Sequence, residues 1–136
     1  MQPARPAAGA LLWPFEGTLP SLAGAGKLVI CETYPAEAYG HVGVKFRGGV
    51  SKQNQADRRE ATARLSSRCG EYGVRLAGTM YDAINDGFGP RKSGEDPFDA
   101  TMGLLGMIEV VEGRRAAAPT ETKAVEWEGW ILGQAP

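Results

Sequence analysis

The run PFDATMGLLGMIEVVE, residues 97–112, restricts the fold more than any other stretch of the chain. Met102, Leu104, Leu105, Met107, Ile108, Val110 and Val111 spread apolar groups nearly all round a helix rather than along one stripe. Such a helix has no water-facing side, so it is expected to lie buried between layers. A second constraint is KLVICETYP, residues 27–35, where Leu28–Cys31 read as a buried strand closed by Pro35. A lone strand cannot satisfy its own backbone hydrogen bonds. Either the WPFEG region and the tail pair with it, or its partner strands lie outside this chain.

The other elements follow from periodicity and punctuation. AEAYGHVGV fits a short helix stopped at Gly40 or Gly43. A helix is expected from about Asn54 to Tyr72, with Ala56, Ala61, Leu65 and Cys69 on its apolar side and Gly70 and Gly73 at its end. Another covers Ala77–Asn85 with Met80, Tyr81 and Ile84 inward, and DGFGPRKSG then forms a glycine-rich loop. Residues 1–10 read as an irregular lead-in, 113–124 as a surface linker, and 125–134 as a terminal strand or packing segment. The inventory is α/β and helix-rich, and the whole of 1–136 is expected to form one domain.

Composition narrows the function classes. With 43% hydrophobic and 23% charged residues, a packed core is expected and global disorder is not. Fifteen basic residues against 16 acidic argue against a protein dominated by phosphate attraction, while leaving room for a local basic face. Cys31 and Cys69 form no CxxC pair, and with a single histidine, His41, no structural zinc cluster is expected. No run approaches the ~20 apolar residues that span a bilayer. These features point to a reduced, cytoplasmic protein without a membrane partner. Trp13, Trp127 and Trp130 read as packing anchors, and RGG and DGFG lack the spacing of a phosphate-binding loop.

The acidic residues have two readings. Asp96 and Asp99 stand three apart at the start of the apolar helix. Asp96 as N-cap, Pro97 at the first helical position and Asp99 in the first turn would be a complete structural explanation. The same carboxylates, joined by Glu32 at the strand end, could instead converge on a hard divalent cation such as Mg2+ or Mn2+. Paired ions of that kind activate water in phosphodiester cleavage. Lys52, Arg58 and Arg59, with Arg91 and Lys92, could meet phosphate oxygens beside such a site, or be solvated surface charge.

Several pieces occur in an order that resembles a known family. WPFEG, CETYPAEAYGHVG, the run containing Ser51, Lys52 and Arg58, DGFG, GEDPFDATMGLLGM and EGWILGQ resemble the C-terminal part of a prokaryotic domain-of-unknown-function family, number 429, whose members are regarded as predicted nucleases. The resemblance covers about Leu11 to Gln134. It implies a ribonuclease-H-like fold, with one acid on the first strand, one on the fourth and one or two on the final helix. Glu32 matches the fourth-strand position. DPFD matches the final helix, with Asp99 the stronger candidate and Asp96 its companion. The first strand and its aspartate would precede WPFEG, where this chain offers only MQPARPAAGALL. The resemblance therefore implies the C-terminal portion of a longer domain, with few strands because the N-terminal ones are missing.

The functional expectation is a metal-dependent nuclease or phosphodiesterase-like domain, incomplete or inactive alone. Glu32, Asp96 and Asp99 would be its catalytic and metal ligands, Lys52 and Arg58 its contacts to a nucleic acid. The competing expectation is a non-catalytic module that pairs its open sheet edge with a partner or with itself.

Overall fold

A computed structural model describes residues 9–23, 26–46, 48–119, 125 and 129–135. In chain order the elements are β1 (Ala10–Leu12), α1 (Leu19–Ala23), β2 (Leu28–Ile30), α2 (Pro35–His41), α3 (Gln55–Thr62), α4 (Leu65–Glu71) and α5 (Gly78–Asn85), then a 3-10 turn (Lys92–Gly94) and α6 (Glu95–Val111). They fall into two compact units, one of residues 1–34 with 110–136 and one of residues 35–109. The architecture is mixed α/β and helix-rich.

In the first unit β1 and β2 pair in parallel, with Ala10 opposite Leu28, Leu11 opposite Val29 and Leu12 opposite Ile30. Trp13 extends the pairing by donating its N–H to Ile30 O at 2.9 Å. Among the described residues, Trp13, Leu22, Val110, Val125 and Leu132 are the buried apolar ones of this unit. The tail joins beyond the strand end, where Leu132 N–H donates to Glu32 O at 2.9 Å.

Two expectations change here. The strand spans three residues rather than running through Cys31, and it is not buried, since Leu28 is 66% and Ile30 42% exposed. Among the described residues this short two-stranded sheet leaves Leu28 and Ile30 exposed, while Val29 between them is half-buried. Of the two readings of the tail, residues 129–135 form no strand, and Leu132 is buried as a packing segment would have it, with a turn at Leu132–Gly133. Residues 1–8, Arg47, 120–124 and 126–128 with Trp127 lie outside the described residues, so part of the expected lead-in, linker and terminal segment does too.

The second unit is built of helices packed around Val42, Val44, Leu65, Cys69, Ile84, Phe98, Met102 and Leu105. Phe98 is fully buried, with the rings of Tyr39, Phe46 and Phe88 at 5.5, 5.6 and 6.0 Å from it in tilted or edge-on geometry. The expectation of a largely buried final helix holds for its Phe98, Met102 and Leu105 face, but Leu104 is 52% exposed. Three helices end alike. Val44 N–H returns to Tyr39 O, Val74 N–H to Cys69 O and Phe88 N–H to Ala83 O, each at 2.8 Å. This six-residue closure turns an apolar residue back toward the core just past each helix.

Two boundaries differ from the periodic reading. The helix expected over 54–72 is two helices, because the Thr62 hydroxyl donates back to Arg58 O at 2.8 Å and to Arg59 O at 3.3 Å. With those acceptors engaged, Ala63 N–H shifts to Glu60 O at 3.3 Å, a 3-10 step that ends α3. Gly70 then lies inside α4 rather than ending it. The apolar helix begins at Glu95, entered from the 3-10 turn, so Asp96 is a first-turn residue and not the N-cap.

Candidate polar centre at Asp99

Phe98 and Asp99 are neighbours on α6, and the helix turns them to different surroundings. Phe98 enters the aromatic cluster, while Asp99 stands at its lip with a side chain 25% exposed. Two groups converge on that carboxylate. Tyr39, on α2, packs its ring on Phe98 and donates its hydroxyl to Asp99 Oδ1. Lys52, from the segment before α3, brings Nζ to Asp99 Oδ2 at 2.5 Å, with a side chain 37% exposed. An ion pair that half-exposed is screened, and its worth in stability is small. Its effect is geometric: one N–H of the ammonium is committed to Asp99, while the side chain keeps 37% of its surface exposed.

The backbone that carries Lys52 is closely held. Asn54 caps α3 by accepting from Ala56 N–H at 3.0 Å, and Ser51 N–H donates to Asp57 Oδ2 at 2.8 Å. Asn54 N–H closes a turn on Ser51 O at 2.9 Å. Arg58 fixes the same segment from below, with Nη1 donating to Lys52 O at 2.6 Å.

Arg58 itself is 0% exposed. Its remaining donors also go to carbonyls: Nε to Gly87 O at 2.7 Å, and Nη2 to Gly89 O at 2.7 Å and Arg91 O at 3.2 Å. A guanidinium taken from water needs its donors satisfied, and here four carbonyl dipoles do it. The acceptors are aimed by an unusual loop, in which Gly87, Phe88 and Gly89 all have left-handed φ of 65°, 62° and 84°. Gly87 is required twice over, since a Cβ there would also meet Gln55 O at 2.8 Å. Gly94 closes the far side, where a Cβ would lie 2.5 Å from Arg58 Nη2. The rim is tied by Gln55 Nε2 to Asp86 O at 2.7 Å and by the Arg59–Asp86 ion pair at 2.7 Å.

The expected site residues are thus distributed unevenly. Lys52 and Asp99 are brought together. Arg58 has the position of an interior tie, out of reach of a solvent-borne phosphate, which corrects the phosphate contact expected of it. Asp96 is exposed in the first turn of α6, where its charge complements the helix dipole. Glu32 is exposed in the first unit, where its main-chain carbonyl accepts from Leu132 N–H. Among the described residues no group of three or more His, Cys, Asp and Glu side chains is gathered to hold a metal ion. The donor set at Asp99 does not fit Mg2+ or Mn2+: both oxygens already accept from Tyr39 and Lys52, and an ammonium stands where a hard cation would.

Tyr39 is the site residue that the sequence did not single out. Its partner is 60 residues away, and nothing in AEAYGHVG distinguishes a tyrosine that packs from one that also donates. Local charge was legible: Lys45–Arg68 holds seven basic residues against two acidic, a surplus of five in a chain of net charge −1.

Among the described residues no helix is long and apolar enough to cross a membrane. No family model, curated protein or solved structure matches the chain.

Proposed function

We propose that the chain is a nucleic-acid-directed domain of the ribonuclease-H-like, nuclease-related class, in which Lys52 meets the phosphodiester backbone. The observation that carries this reading is the convergence of Lys52 and Tyr39 on Asp99 at a solvent-facing lip. A lysine orders phosphate oxygens as a compact point charge with several donors. Asp99 restricts its ammonium beforehand, so less side-chain freedom is lost when an anion arrives. The basic surplus of the 45–68 segment favours the same polyanion, and the ordered motifs supply its class. No hydrolytic step is assigned to Glu32, Asp96 or Asp99, because the donor set at Asp99 is that of an ion pair.

The test is a titration of fluorescently labelled single-stranded and hairpin oligonucleotides at low salt, with the products analysed in the presence and absence of Mn2+. Saturable binding that weakens in Lys52→Ala is expected. Wild-type protein that does not bind, or Lys52→Ala that binds equally well, defeats the reading.

A second reading has its own observation, the exposed Leu28 and Ile30 on a sheet that is two-stranded among the described residues. We propose that a second copy of the chain covers them. Sedimentation over a wide range of concentrations tests it. Association lost in Ile30→Lys supports it, and a monomer throughout removes it.

A further inference from the structure

We infer that Arg58 is a positioning residue for the polar centre, acting through the backbone of Lys52 rather than on any ligand. Resting on the reading of Lys52 as the phosphate contact, it has the consequence that phosphate recognition depends on an arginine no phosphate can touch.

Three features carry the inference. The first is that one guanidinium binds two loops distant in sequence: Lys52 O on Nη1, and Gly89 O and Arg91 O on Nη2. The planar fork fixes the directions of its N–H groups, so these carbonyls are held in a set relation to one another. Next, the residue whose carbonyl receives Nη1 is the residue whose ammonium reaches Asp99. A shift of the 51–54 segment relative to α6 would therefore open the Lys52–Asp99 pair directly. Finally, the loop on the other side pays for this arrangement with three consecutive left-handed residues, including the non-glycine Phe88 at φ 62°. Phe88 packs edge-on against Phe98, which precedes Asp99. The arginine thus ties both halves of the centre, Lys52 by a hydrogen bond and the lip of Asp99 through the Phe88 loop.

A lysine at position 58 cannot reproduce the fork. Its single ammonium would reach only some of the four carbonyls and would not fix their mutual geometry. The protein would keep a buried cation and its fold while the Lys52 segment loosened.

The experiment is competitive amine labelling of the whole protein, read by mass spectrometry at Lys52 and at the exposed Lys27 and Lys92. Thiol labelling of the buried Cys69 reports global opening in the same samples. In the wild type Lys52 is expected to label more slowly than Lys27 and Lys92. In Arg58→Lys it is expected to label several-fold faster than in the wild type, with Cys69 still protected. Should that variant fail to fold, a protein with one glycine inserted after Pro90 displaces the Gly89 and Arg91 carbonyls from Arg58 and is expected to give the same result. An unchanged Lys52 rate in a folded variant overturns the inference, as does a rise that only parallels Cys69 exposure in both variants. Oligonucleotide binding is measured on the same proteins. Its absence in the wild type defeats the phosphate reading but leaves the labelling result to decide the role of Arg58.

Discussion

Arg58 and Arg59 are adjacent in sequence and opposite in fate. Arg58 is buried against four carbonyls, while Arg59 pairs with Asp86 at the surface. Removing the buried guanidinium should therefore cost much more than removing its neighbour. Each carbonyl left without a partner costs about 1–3 kcal/mol. Arg58→Met is expected to lose several kcal/mol in urea denaturation, and Arg59→Met less than about 1 kcal/mol, as for an exposed ion pair. Equal losses would show that the carbonyl cup does not hold the fold. Phe98 supplies a second test at this scale. Phe98→Ala empties the centre of the aromatic cluster and should cost about 3–5 kcal/mol by the same measurement.

Most helices were legible in the sequence because they depend on periodicity, which is local, whereas the five-residue α1 (Leu19–Ala23) is too short to show one and was not expected. α5 and α6 lie close to their expected ranges, and the final helix buries the face that carries Phe98, Met102 and Leu105. The break between α3 and α4 was not legible, since it rests on which acceptor a hydroxyl selects. Thr62 also donates to Ile84 O at 3.0 Å, tying α3 to α5. Thr62→Val keeps the shape and removes these bonds, and since the Ile84 carbonyl still accepts from Gly87 N–H at 3.1 Å, a loss of about 1 kcal/mol is expected. Thr62→Ser should retain most of that stability, and equal behaviour of the two would contradict the role given to the hydroxyl. The candidate site was half legible. Lys52 and Asp99 were named from residue type and spacing, whereas Tyr39 and the burial of Arg58 depend on contacts 60 and 29 to 33 residues away. The short exposed strand misled because four apolar residues in a row look alike whether a sheet covers them or not.

For the whole molecule the acid groups perturbed by their surroundings all shift the same way. Burial pushes the Cys31 and Cys69 thiols up from 9.0. Burial, then a hydrogen bond to Glu109 and its charge, push the Tyr72 phenol up from 10.0. The unfolded chain gives up these protons first, so as pH rises it binds fewer than the native state and stability falls. Stability from these groups is fully present below about pH 9 and is lost as pH climbs through the raised folded values. The urea midpoint should thus drop as pH rises above about 9. Cys69→Ala should flatten part of that slope, and an unchanged slope would separate the thiol from the effect. Net charge matters at this scale too, since a chain at −1 binds a polyanion only through a local surplus.

The salt dependence of oligonucleotide binding tests that surplus and the role of Lys52 together. Each phosphate neutralised on a single strand contributes about 0.7 to the slope of log Kobs against log salt. If Lys52 meets a phosphate, Lys52→Ala will weaken binding across sequences alike and reduce the slope by about that amount. A wild type and a variant with the same affinity and the same slope would contradict the account.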